Sequence, residues 1–232
     1  MTAAGRVNET VVHVKNVTVR IKNQVVLERI NLQLDKGKIY GIIGRNGSGK
    51  TMLLRVLCGL VRPSEGEVWV LGREIGRAGA FPDEVGAVIE TPGFLPQYSG
   101  LKNLKLLASI RNRIDEDDIK EAIRLVGLDP ENKKPVRTYS LGMRQRLGLA
   151  QAIMEKPQLL LLDEPSNGLD QEGVRDLHIL LQNLRSKGVT ILLTSHSREE
   201  IETLCDAVYY MERGRLEALP EVQGSLPIEK HL

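Results

Sequence analysis

The chain has 232 residues, 41% hydrophobic and 27% charged, with a formal net charge of +2. This is long enough to bury a sizeable core and ordinary for a globular protein, and the near-neutral balance excludes bulk attraction to nucleic acid or an anionic membrane. Met1 to Thr10 lacks the apolar core of a signal peptide, and no apolar run approaches the roughly 20 residues that span a bilayer, so a cytoplasmic protein is expected.

Val11 to Arg20 is rich in Val and Thr and alternates in part, which predicts a strand. Val25 to Leu34 adds strand-like segments before the turn at Asp35-Lys36-Gly37-Lys38. The apolar run Ile39-Tyr40-Gly41-Ile42-Ile43 reads as a buried strand, and Met52 to Leu57 reads as a helix. Between them lies Gly44-Arg45-Asn46-Gly47-Ser48-Gly49-Lys50-Thr51, which fits the phosphate-loop template of Gly, four free positions, then Gly-Lys-Ser/Thr. Backbone N–H groups and a helix N-terminus favour anions here, and glycine lets the chain wrap a phosphate closely. Lys50 suits the terminal phosphates and the Thr51 hydroxyl suits Mg2+, so the segment predicts a nucleoside triphosphate site.

Glu67 to Leu71 and Val85 to Ile89 predict two more strands. The pattern then turns helical. Leu101, Leu104, Leu107 and Ile110 share one face; Asp115 caps a helix reaching Leu125 or Val126, stopped by Gly127; Ser140 opens a third that runs to about Glu155. Leu159 to Leu162, ending in Asp163, is short and fully apolar, as a central parallel strand is. Asp170 caps a helix ending near Lys187. Val189 to Leu193 is a strand, Ser197 to Cys205 a helix, and Ala207 to Met211 the last expected strand. After Pro220 an irregular tail is expected. Cys58 and Cys205 lack metal-ligand spacing and read as packed, reduced thiols.

A phosphate-loop enzyme holds its metal with a second carboxylate at the end of a neighbouring strand, and Asp163 takes that place. Glu164, next in sequence, is placed to activate water. The segment Tyr139-Ser140-Leu141-Gly142-Met143-Arg144-Gln145 resembles the Leu-Ser-Gly-Gly-Gln signature of ATP-binding-cassette (ABC) ATPases, with Leu141 for the first glycine and Met143 for the glutamine. Asp163-Glu164-Pro165-Ser166-Asn167-Gly168-Leu169-Asp170 resembles the family's Walker B strand running into its D-loop, and Thr194-Ser195-His196 resembles its switch histidine.

The resemblance, from about residue 10 to residue 215, implies an α/β phosphate-loop NTPase cassette with a mixed or parallel core sheet, an antiparallel β lobe and an inserted helical lobe. Residues 10–215 would form one domain, with core segments 10–90 and 157–215, a helical lobe at 91–156 and a tail at 216–232. It implies a subunit that binds and hydrolyses ATP with Mg2+ to power a membrane transporter. Gly44, Arg45, Asn46, Gly47, Ser48, Gly49, Lys50, Thr51 and Met52 would bind ATP from one subunit. Ser140, Gly142, Met143 and Asp170 would complete the site from a second cassette, identical or different. Glu164 would be the base, assisted by Lys50 and His196. The other partner would be an integral membrane permease, which holds the chain at the inner face of the cell membrane; nucleic acid is not expected.

Two departures stand out. Where the family usually places a metal-contacting Gln, this chain has Glu90, in an Ile-Glu-x-Pro pattern resembling the bacitracin- and lantibiotic-resistance branch; Gln97 is the alternative for that role. Export of a peptide antibiotic or lipid-like compound is thereby suggested. The family also stacks adenine on an aromatic residue near Ile21, yet no aromatic lies between Thr10 and Lys38, so comparable ATP and GTP affinity is expected. The alternative function is a soluble mechanochemical ABC ATPase acting on nucleic acid or ribosomes, although the chain has neither the long coiled-coil insertion nor the fused second cassette usual there.

Overall fold

The structure, a computed structural model, describes residues 9–76 and 82–219. The expectations for Met1 to Thr10 fall almost entirely outside these residues, as does the tail from Pro220 onward.

Strands β1 (Thr10–Ile21), β2 (Gln24–Asp35), β4 (Glu65–Val70) and β5 (Arg73–Glu74) form an antiparallel sheet in the order β2-β1-β4-β5. A second, six-stranded sheet has the order β10-β9-β3-β8-β7-β6. Its members are β3 (Ile39–Ile43), β6 (Val85–Val88), β7 (Leu159–Asp163), β8 (Thr190–Ser195), β9 (Ala207–Glu212) and β10 (Arg215–Ala218). All its pairs are parallel except the β9–β10 hairpin. Among the described residues six α-helices accompany the sheets: α1 (Lys50–Leu57), α2 (Gly100–Arg111), α3 (Glu116–Leu125), α4 (Leu141–Ile153), α5 (Gln171–Ser186) and α6 (Arg198–Leu204).

The central strands carry apolar side chains on both faces, as a sheet covered on both sides requires. Leu160, Leu162, Ile191 and Leu193 face a core shared with α2 to α6. Their neighbours Leu159, Leu161 and Leu192 face the opposite way, into a core shared with α1 and the antiparallel sheet. Helix ends follow their caps. Asp115 accepts from Asp117 and Asp118 N–H in a capping box, and Ser140 and Asp170 accept from Met143 and Gly173 N–H.

Several expectations need correction. Ala207–Glu212 is not the last strand: Arg215–Ala218 pairs with it antiparallel, so residues 216–218 belong to the sheet rather than to a tail. Leu71 lies in a left-handed turn (φ 49°) just past β4, and Ile89 lies just beyond β6. Helix α4 ends at Ile153, short of Glu155. No helix among the described residues is long and apolar enough to cross a membrane.

Candidate nucleotide site

Parallel pairing fixes where the chemistry gathers. In register, Ile43 of β3 lies beside Ser195 of β8, Asp163 of β7 beside Thr194, and Val88 of β6 beside Leu162. The carboxyl ends of four neighbouring strands therefore release the Gly44 loop, His196, Asp163-Glu164 and Glu90 along one edge, the edge at which parallel α/β sheets bind ligands.

The loop is shaped for close approach. A Cβ on Gly44 would lie 2.2 Å from the carbonyl oxygen of Met211, and Gly49 enters α1 at φ 115°. Neither position admits a side chain without strain. Gly49 also offers no side-chain cap, which leaves the first-turn N–H groups of α1 free to meet an anion. Ser48 is buried, and among the described residues its Oγ has no hydrogen-bond partner. Lys50, with a side chain only 5% exposed, donates to the carbonyl oxygens of Gly44 (2.7 Å) and Arg45 (3.4 Å). Arg45, Asn46 and Gly47 are exposed along the loop crest, and Met52 packs against the core beneath it.

Thr51 Oγ1 donates to Asp163 Oδ2 at 2.7 Å, and Thr194 Oγ1 donates to Asp163 Oδ1 at the same distance. A hydroxyl and a carboxylate from two elements thus meet at one point, an all-oxygen set that suits Mg2+. The orphaned Ser48 hydroxyl, the open helix end and this oxygen pair fit a magnesium nucleotide.

Glu164 sits beside that point at φ 47°, a left-handed conformation costly for a residue other than glycine. Its N–H donates to Thr194 Oγ1, which fixes the turn. Its carboxylate accepts from Asn167 Nδ2 at 2.6 Å and lies 3.5 Å from Lys50 Nζ and 3.4 Å from His196 Nδ1. Burial pushes its pKa up, but the Asn167 hydrogen bond and the charges of Lys50 and His196 together outweigh burial and hold it below its ordinary 4.5. The carboxyl is ionised at neutral pH and ready to take a proton.

The remaining expected residues do not bond to this cluster. Glu90, also left-handed (φ 61°), extends its carboxylate to Arg55 of α1 at 2.6 Å. Gln97 is exposed in the loop before α2. Ser140, Gly142 and Met143 line a cavity of about 380 Å³ with Gly168, Leu169 and Asp170. No hydrogen bond among the described residues joins the three to the Gly44–Thr51 loop. Thr194 and Asn167, which bond Asp163 and Glu164, are given no role by sequence reasoning. Their signal is faint: one is a polar residue ending a buried strand two places before His196, the other an amide in the turn after Glu164.

The ABC transporter family model matches residues 27–167. An ABC transporter ATP-binding protein of Bacillus subtilis, YybJ, is 46% identical over 91% of this chain and 97% of its own length. The chain belongs to the ABC transporter family, among its ATP-binding proteins. Bacitracin transport ATP-binding protein BcrA of Enterococcus faecalis is 40% identical, over 90% of this chain and 68% of BcrA. Lantibiotic transport ATP-binding protein SrtF of Streptococcus pyogenes is 34% identical, over 94% of this chain and 93% of SrtF. The chain is thus similar to the branch that its Glu90 pattern resembles. A solved ATP-binding subunit of an ABC transporter superposes with a TM-score of 0.83 at 25% identity, covering 92% of this chain and 90% of that one. A dimeric ATP-binding cassette bound to ADP and phosphate shares the fold, with a TM-score of 0.81 at 23% identity and coverage of 92% and 100%.

Proposed function

We propose that this ABC ATP-binding protein hydrolyses ATP to drive export of a peptide antibiotic or lipid-like compound through a separate membrane permease. The observation that supports hydrolysis best is the seating of an ionised Glu164 directly after Asp163, whose carboxylate is bonded to Thr51 at 2.7 Å. Lys50 exchanges its loop carbonyls for the β- and γ-phosphates. Thr51 and Asp163 would hold Mg2+, which when bound would neutralise phosphate charge. Glu164 takes the proton of a water whose oxygen joins the γ-phosphorus as the bond to the β-phosphate oxygen breaks. His196 contacts the γ-phosphate, and Glu90, paired with Arg55 at 2.6 Å, would have to leave that partner to help hold the metal.

In this reading residues 10–218 act as one cassette, with α2 to α4 as its helical lobe. A second cassette supplies Ser140, Gly142, Met143 and Asp170, which accounts for a capped helix N-terminus set apart from its own phosphate loop. The permease holds the cassette at the cytoplasmic face of the membrane. The cargo class rests on the bacitracin and lantibiotic relatives. Replacing Glu164 with Gln should lower kcat for ATP by about 10²-fold or more while nucleotide binding persists. Turnover at the wild-type rate in that variant, or purification from native membranes without an integral partner, would overturn the reading.

A further inference from the structure

Away from the phosphate loop, one buried carboxylate has polar partners on several elements. Glu200 of α6 is 8% exposed. Its Oε2 accepts from Ser195 Oγ at 2.6 Å and from Ser166 Oγ at 3.0 Å. Among the described residues its Oε1 has no hydrogen-bond partner, and it faces the buried and likewise unpartnered Nε2 atom of His178 of α5, 3.5 Å away. A carboxylate is costly to bury unless its oxygens are satisfied; the two serine hydroxyls satisfy Oε2, while Oε1 has the 3.5 Å approach of His178 Nε2.

The partners are informative. Ser195 ends β8 and directly precedes His196, and its Oγ also accepts from the N–H of Ser197, which shapes the loop around His196. Ser166 lies two places after Glu164, on the turn leading to Asp170. From the opposite side Gln145 of α4, itself buried, donates to the carbonyl oxygen of Pro165 at 3.3 Å. The turn behind Glu164 is thus gripped between α4 and α6, and the grip on the α6 side also holds the base of the His196 loop.

We propose that Glu200 is a positioning residue for hydrolysis, tying the turn that follows Glu164 to the strand end that carries His196, with His178 closing the clamp from α5. The inference rests on the hydrolytic reading above. Glu200 touches neither phosphate nor water; it acts by holding Glu164 and His196 in fixed relation, and small errors in such geometry are expensive in rate. A residue that merely capped α6 would need no bond to Ser166.

The test is steady-state ATPase activity of the full chain with its permease, alongside the Kd of a fluorescent ATP analogue, in Ser166→Ala, Glu200→Ala, Glu200→Gln and Glu164→Gln. Ser166→Ala and Glu200→Ala should lower kcat by about tenfold with Kd unchanged, and Glu200→Gln, whose amide oxygen still accepts from both hydroxyls, should regain most of it. If Glu200→Ala does not fold, Ser166→Ala, which deletes a single hydroxyl, decides alone. Wild-type kcat in Ser166→Ala, or a fall in kcat matched by a rise in Kd, overturns the inference. When that happens while Glu164→Gln is inactive, the proposed function stands; an active Glu164→Gln removes both.

Discussion

At Glu164, opposed effects set the protonation state. Burial favours the neutral acid, while Asn167, Lys50 and His196 favour the anion and prevail. Because the folded-state pKa lies below the ordinary 4.5, the stability from this group is fully present above 4.5 and is lost as pH falls through the lowered value. The stability difference between the wild type and Glu164→Gln, measured by urea unfolding, should therefore stay constant from neutrality to about pH 5 and shrink below it. By the same sign, the acid limb of kcat/KM in the free enzyme should owe nothing to Glu164 near neutral pH. A second residue-scale expectation concerns the base of the nucleotide. Ile21 closes β1 half-exposed and offers an aliphatic edge with no ring to stack on. Competition binding should show ATP and GTP within about tenfold of each other; a strong preference for ATP would mean that another group reads the base.

Among the elements, the β6–α4 contact is the tightest test of packing. A Cβ on Gly86 of β6 would stand 2.0 Å from the carbonyl oxygen of Ala152 in α4, and backbone cannot yield as a side chain can. Gly86→Ala should lower unfolding free energy by about 1–3 kcal/mol, read as an earlier urea midpoint. This scale also shows what the sequence disclosed. Helices α3, α4 and α5 were legible because Asp115, Ser140 and Asp170 are strong caps, and β3, β7 and β8 because short apolar runs between turn residues have few other uses. Strand β10 was not legible. Arg215–Ala218 is mostly exposed, and only its pairing with β9 makes it a strand. Within the site, Asp163 and Glu164 declared themselves by position. Thr194 and Glu200 act through partners 31 and 34 residues away, which no local pattern encodes.

For the whole molecule, the six-stranded sheet is a shared wall between two cores. Leu192 and Leu193, adjacent and fully buried, point into different cores. If the wall couples them, Leu192→Ala and Leu193→Ala should each cost about 2–5 kcal/mol, and in both variants circular dichroism and Trp69 fluorescence should report one coincident transition. Separate transitions would show that the halves unfold on their own.

The wall also has a brace at the phosphate loop. Gly214, in the hairpin turn between β9 and β10, donates its N–H to the Ser48 carbonyl and accepts from the N–H of Glu28, each at 2.8 Å, while Met211 roofs Gly44. A motif written in eight consecutive letters is thus braced by chain that arrives more than 160 residues later. During synthesis these contacts can form only after that hairpin has been made. The earliest motif in the chain thus takes part of its support from a hairpin made long after it.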